Sequence, residues 1–180
     1  MYYSTTYPLP IGLVTLACSS AACNSGSLVG LWIAGQKYFG HSVPEAMTEK
    51  DNMPVFDKTK KWLDSYFAGK KPAITALPLA PIGSAFRQEV WNILCAIPYG
   101  EVSTYGDIAK QIAAHRNLQS MSSQAIGGAV GHNPISIIIP CHRVIGSNGS
   151  LTGYAGGLAV KKKLLALEGI ALGGLAPEGR

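Results

Sequence analysis

Cys141 is the residue in this chain best placed for covalent chemistry. It follows Pro140 at the end of a β-branched run, Ile135-Ser136-Ile137-Ile138-Ile139, and precedes His142 and Arg143. A thiol is a weak nucleophile and its thiolate a strong one. A nearby imidazole can take the proton, and a carboxylate can orient the imidazole. Adjacent residues on extended backbone point apart, so Cys141 and His142 need not touch, and a water can relay the proton. The other reading is a buried, inert cysteine beside a surface histidine. Sequence position alone leaves both open.

The remaining cysteines are Cys18, Cys23 and Cys95. Nothing in the sequence points to secretion, so reduced thiols are expected. Cys18 and Cys23 with His41 and His115 lack the tight pairs that zinc sites use. Ordinary core and turn cysteines are expected, with no metal.

The elements that must position Cys141 read as follows. Leu13–Cys18 and Leu28–Ile33 are β-prone and flank a Ser/Asn/Gly turn, Ser19–Ser27, which predicts a hairpin. His41–Lys50 reads as irregular or as a helix start. Asp51 or Asn52 would cap a helix entered at Pro54, with Val55, Phe56, Trp62, Leu63, Tyr66 and Phe67 mostly on one face and Gly69 at its end. Ile74–Leu79 reads as a strand. Pro78, Pro81 and Gly83 make Leu77–Gly83 the best linker, so the predicted domains are 1–82 and 83–180.

The second half reads as helical. Ser84 caps a helix carrying Phe86, Val90, Ile93, Leu94 and Ile97, stopped by Pro98-Tyr99-Gly100. Ser103 or Thr104 caps a second, with Tyr105, Ile108, Ala109, Ile112 and Ala113. The polar loop His115–Ser120 leads to a third, Ser122–Val130, rich in small residues. Two helices around a short polar loop suggest helix-turn-helix, although small residues also allow close helix packing. The run Ile135–Ile139 reads as a short buried strand. A glycine-rich loop follows, then a last helix from Leu158 to Glu168, ended by Gly169.

Composition bounds the function. The 180 residues are 47% hydrophobic and only 14% charged, which excludes a disordered acidic chain and a highly charged coiled coil. No charged residue precedes Lys37, yet Pro8, Pro10, Gly12 and many polar residues interrupt that stretch. No run approaches the ~18 apolar residues of a membrane span, and a basic signal-peptide start is missing. A protein of the cytoplasm, without membrane association, is expected. The net charge of +5 favours anionic partners mildly. From Asn117 to Val160 the only charged residue is Arg143. Nucleic acid bound there would be held by backbone amides and small polar groups.

Ile139-Pro140-Cys141-His142-Arg143-Val144-Ile145-Gly146 resembles the active-site signature of the methylated-DNA–protein-cysteine methyltransferases, the O6-alkylguanine-DNA alkyltransferases. The match runs back through Asn133-Pro134 and Gly127-Gly128-Ala129, and forward through Gly153-Tyr154-Ala155-Gly156-Gly157-Leu158 to Leu164-Leu165 and Glu168-Gly169. Phe86-Arg87-Gln88, Val90-Trp91, and Ile97-Pro98 through Gly100-Glu101-Val102 to Tyr105-Gly106 match before it. The resemblance is dense over Phe86–Gly169 and weaker in the first half, where Leu28–Phe39 also looks familial.

That resemblance implies a mixed α/β (α+β) fold: a small N-terminal α/β domain and a helical, winged-helix-like C-terminal domain that binds duplex DNA. It implies direct reversal of damage. An O6-alkylated guanine is flipped out, and a cysteine takes the alkyl group as an irreversible thioether, once per molecule. No cofactor is expected, a single chain is the expected acting unit, and O4-alkylthymine in DNA is a second candidate substrate. Cys141 is then the acceptor, His142 its water-mediated base and Glu168 the carboxylate orienting His142. Tyr105 is the phenol that donates to guanine N3, and Asn133 the hinge. Val144, Tyr154, Ala155 and Gly156 would wall the pocket, while Gln124, Ala125, Arg87, Gly106 and Ser147 would meet DNA. Arg143 reads as a structural ion-pair partner. Gly146 and Ala155 suggest room for groups larger than methyl.

One departure bears on base flipping. Where the family's recognition helix usually carries an Arg that fills the vacated stack, this chain has Gln124, behind a longer loop, His115–Ser123. Three other readings compete with transfer. A lesion sensor without transfer activity would replace Cys141. A cysteine hydrolase would leave the helix-turn-helix unexplained. An adaptive-response regulator needs an added metal-binding domain, for which 180 residues leave no room.

Overall fold

The computed structural model describes residues 1–19, 26–171 and 173. Contacts divide the chain into two compact units. One comprises Met1–Gly83 together with Pro134–Ile138; the other comprises Ser84–Asn133 and the chain from Ile139 on. The segment just before Cys141 thus belongs to the first unit, which a single cut in the sequence does not convey. The chain is a mixed α/β protein, as its sequence predicts.

In the first unit, β1 (Tyr2–Leu9), β2 (Gly12–Ser19), β3 (Ser27–Ile33) and β4 (Met47–Glu49) form one sheet in the order β3-β2-β1-β4. β1–β2 and β2–β3 are antiparallel, and β4 runs parallel to β1. β2 and β3 are the predicted hairpin strands; the centre of their connection, 20–25, lies outside the described residues, as does Cys23. β1 escaped the sequence reading because Ser, Thr and Pro dilute its alternation. Helix α1 (Pro54–Phe67) packs on β2 and β3 with Val55, Phe56, Trp62, Leu63 and Tyr66 buried. Each such side chain contributes roughly 1.5–3 kcal/mol by leaving water.

Three expectations for this unit are corrected. His41–Lys50 is not a helix start but turns leading into β4. Met53, rather than Asp51 or Asn52, precedes α1 as its cap, with no side-chain bond to the helix. Asp51 accepts a hydrogen bond from Thr5 of β1 instead, and Pro54 at the first helical position has no N–H to satisfy. Ile74–Leu79 is not a strand. Ile74–Ala76 is a 3-10 turn, and only Leu79 bridges to Leu28, through Leu28 N–H to Pro78 O (2.8 Å) and Ala80 N–H to Leu28 O (2.8 Å). Pro78 and Pro81 lack the N–H groups a longer ladder needs.

The second unit is built on α2 (Ala85–Cys95), α3 (Tyr105–His115) and α4 (Ser123–Gly131), which pack on one another. Ser84, Thr104 and Ser122 cap them by accepting from the amides of Arg87, Asp107 and Ala125. Trp91 of α2 is buried, and its indole N–H donates to Ala129 O of α4 at 2.9 Å. That close approach suits the small residues of α4. Arg116 reaches Glu89 of α2 at 2.8 Å and pins the α3–α4 loop. Two short strands, β5 (Ser103–Thr104) and β6 (Val144–Ile145), pair in parallel. Helix α5 (Leu158–Leu167) closes the unit, and Gly169 follows it in the left-handed region, φ +82.

Ile135–Ile139 is also corrected. Only Ile135 pairs, with Leu31 of β3, through Leu31 N–H to Pro134 O and Ser136 N–H to Leu31 O, both 2.9 Å. The chain then turns sharply. Ile138 N–H donates to Ser136 O at 2.8 Å, and Ile137 sits at φ +71, rare for a β-branched residue. Such a residue costs about 1–3 kcal/mol and persists where its surroundings over-determine it. Here Ile137 and Ile138 are fully buried, and Ser136 is tied to Gln36 at 3.1 Å.

Candidate active site

Cys141, His142 and Arg143 form a single 3-10 turn that Pro140 enters, rather than the end of a strand. All three are buried. Asn133, just past α4, reaches across the intervening bend. Its side-chain amide donates to Ile139 O at 2.8 Å and to the Cys141 sulfur at 3.1 Å. The α4 end and the Cys141 turn are therefore tied by one side chain.

Glu168, at the end of α5, has a fully buried side chain. One carboxylate oxygen stands 2.7 Å from His142 Nε2 and accepts from Arg143 Nη2 at 3.0 Å. The other accepts from Arg143 Nε at 2.8 Å and from the Gly100 amide at 3.2 Å. Arg143 also donates from Nη1 to Ile97 O at 2.6 Å. Gly100 must be glycine here: φ is +84, and an added Cβ would lie 3.1 Å from Glu168 O.

The electrostatics follow from burial. Burial holds the His142 imidazole below its ordinary 6.5, against Glu168, which raises it; Arg143 and Lys161 lower it further. Neutral His142 donates its Nε2 proton to Glu168, which leaves Nδ1 as the acceptor nitrogen. Burial pushes the Cys141 thiol up, while the Asn133 amide, Lys161 and the amides of Cys141 and His142 pull it back. Cys18 and Cys95 are also raised by burial. At rest the site holds a thiol and a neutral imidazole, with groups that favour the thiolate gathered around the sulfur.

Tyr105, at the start of α3, is raised by burial and by the Cys141 sulfur, and its hydroxyl donates to Thr152 O at 3.2 Å. It also lines a cavity of about 390 Å³ with Gly106, Ser123, Gln124, Gly127 and Ser147. Three of the five residues expected at DNA, Gln124, Gly106 and Ser147, therefore meet at Tyr105. Arg87, in the first turn of α2, and Ala125, exposed on α4, are not among the lining residues. Nor are Val144, Tyr154, Ala155 and Gly156. Val144 is fully buried in β6, and Tyr154–Gly156 form a partly buried turn. Gly146 does not open space for a larger substituent, because a Cβ there would strike Ser150 and Asn148 of its own turn.

Sequence reading missed Lys161. Its side chain is fully buried, and Nζ donates to Val144 O (2.6 Å), Thr152 O (3.0 Å) and Gly153 O (3.2 Å). The signal was present. Lys161 shares the apolar stripe of Leu158, Leu164 and Leu165, whereas Lys162 and Lys163 are exposed. Among the described residues no His, Cys, Asp and Glu cluster suits a metal, and no helix is long and apolar enough to cross a membrane.

Comparison with known proteins accounts for both units. A family model described as 6-O-methylguanine DNA methyltransferase, ribonuclease-like domain, matches residues 1–81, and one described as the DNA binding domain of the same proteins matches 85–170. The methylated-DNA–protein-cysteine methyltransferase of Haemophilus influenzae is 40% identical over 93% of this chain and 87% of its own length. That of Methanosarcina acetivorans is 43% identical over 94% and 99%. The crystal structure of Mycobacterium tuberculosis OGT in complex with DNA superposes with a TM-score of 0.73 at 41% identity, covering 93% of this chain and 91% of that one. With relatives matched along nearly their full length, the chain belongs to the methylated-DNA–protein-cysteine methyltransferase family.

Proposed function

We propose that this protein repairs alkylated DNA by direct reversal, moving the alkyl group from O6-alkylguanine to its own Cys141 in a single, irreversible event. The observation that carries the reading is the buried relay: a thiol beside His142, whose Nε2 stands 2.7 Å from a fully buried carboxylate. His142 Nδ1 takes the thiol proton through a water, and Glu168 steadies the imidazolium. The thiolate attacks the alkyl carbon in line with O6. A carbon–sulfur bond forms as the carbon–oxygen bond breaks. The departing guanine gains, in total, the one proton the thiol gave up. The Tyr105 hydroxyl, turning from Thr152 O to guanine N3, reduces the charge that builds on the leaving base.

The residues from Ser84 on form the DNA-binding and acceptor domain in this reading, with the N-terminal domain as its companion. α3 and α4 act as the helix-turn-helix, and Gln124 enters the space the flipped base leaves. Arg87, Gly106, Ala125 and Ser147 contact the duplex around it. Val144 and the Tyr154–Gly156 turn back the alkylguanine pocket. One chain suffices, because acceptor, base and carboxylate belong to one unit.

Cys141→Ala tests the assignment. Incubated with duplex DNA containing O6-methylguanine, the variant should transfer nothing, and peptide mapping of the unaltered protein should place the methyl group on Cys141. Methyl on Cys18, Cys23 or Cys95, or undiminished transfer by the variant, would overturn it.

A further inference from the structure

Lys161 is a charged side chain with no exposure at all, on a helix whose next two lysines face outward. A lysine is rarely buried unless its charge is used. Its three acceptors are the carbonyls of Val144, Thr152 and Gly153. An ammonium group has three N–H donors and satisfies all three, whereas a neutral amine has two and leaves one of these carbonyls short. The arrangement is built for the charged form.

The three carbonyls are not a random set. Val144 directly follows the Cys141–Arg143 turn. Thr152 and Gly153 lie eight and nine residues farther along, where the loop returns towards α5. Thr152 O also accepts from the Tyr105 hydroxyl. One nitrogen thus closes the loop between the acceptor turn and the Tyr154–Gly156 turn, and fixes the carbonyl on which Tyr105 rests.

We propose that Lys161 is a positioning residue of the transfer reaction: a buried cation that closes the Val144–Gly153 loop and supplies the positive charge facing the Cys141 sulfur as it ionises. This rests on Cys141 being the acceptor. The titratable and charged groups around Lys161 are Cys141 and His142 on the turn and Tyr105 on α3, with Arg143 and Glu168 paired to each other. His142, a transient cation in the same site, is repelled by Lys161. The thiolate is the group that gains from it. Burial lowers Lys161 from 10.5 to about 8, and the Cys141 sulfur opposes that lowering. The competent state carries a proton on Lys161, so transfer slows as that proton leaves.

The test is the pH profile of methyl transfer from duplex O6-methylguanine DNA, from about pH 6.5 to about pH 9.5, for the wild type and Lys161→Met. The wild-type rate should fall above about pH 8. The methionine variant keeps the packing and loses the cation. It should transfer roughly tenfold or more slowly at pH 7.5, with no such alkaline fall. Its Cys141 should also react more slowly with iodoacetamide, a reagent that needs no DNA. A folded variant with the wild-type rate and the same alkaline fall would overturn the proposal. If the variant does not fold, the wild-type profile still decides: a rate that climbs steadily through pH 9.5 contradicts a required proton on Lys161. Failure of the wild type to transfer at all would instead strike the proposed function.

Discussion

Glu168 accepts four hydrogen bonds on two oxygens, and two of its partners are basic side chains. Arg143 already neutralises it, so Glu168 has limited charge to spare for His142. Burial, the largest influence, therefore holds His142 below 6.5 despite a carboxylate at 2.7 Å, with Arg143 and Lys161 lowering it further. The sign of the pH effect follows. Below pH 6.5 the unfolded chain binds a proton at this histidine that the native protein refuses, so stability declines as pH falls through that range. The acid limb of transfer should likewise lie below 6.5, because only neutral His142 accepts the thiol proton. Glu168→Gln keeps an acceptor for Nε2 but removes the charge. It should lower the transfer rate by about 10²-fold or more and move the acid limb to still lower pH. It also leaves Arg143 buried without its anion, which should cost about 3–5 kcal/mol of stability, readable by urea unfolding. DNA affinity of the folded variant should be unchanged. A merely structural Glu168 would reduce the folded fraction and leave the acid limb in place.

Helix α4 carries small residues on both faces and one long polar side chain, Gln124, at the cavity beside Tyr105. Flipping a base costs a few kcal/mol of stacking and pairing. A planar amide entering the vacated stack recovers part of that and can hydrogen-bond the orphaned cytosine. Gln124→Ala should therefore raise the barrier for transfer from duplex DNA by roughly 1–3 kcal/mol while sparing free O6-benzylguanine, which needs no flipping. Equal slowing of both substrates would make Gln124 a residue that shapes the pocket. At this scale the sequence was readable wherever a signal was local. Ser84 announced its helix, Thr104 was one of two caps expected for the next, and Gly169 ended the last one. Ile74–Leu79 and Ile135–Ile139 misled because β-branched composition states a preference, while strand formation needs a partner with free donors. The first run lacks one at Pro78 and is followed by a second proline, Pro81. The second is bent back by the need to bring Asn133 and Cys141 together.

For the whole molecule, the residues nearest the chemistry were the most legible, because Cys141, His142 and Arg143 are contiguous and Glu168 closes a predictable helix. What sequence could not give was set by distance along the chain: four donors converging on Glu168 from Gly100, His142 and Arg143, Lys161 folded inward onto a loop, and Pro134–Ile138 held in the N-terminal unit by Leu31 and Gln36. In the proposed reaction this assembly makes one thiol react once. It is tested most directly by the intact mass of the protein, followed over time with excess duplex DNA containing O6-methylguanine. Each chain should gain one methyl group, restored guanine should appear in equal amount, and both should then stop. Guanine released beyond one equivalent per chain, or restored with no gain in protein mass, would contradict it.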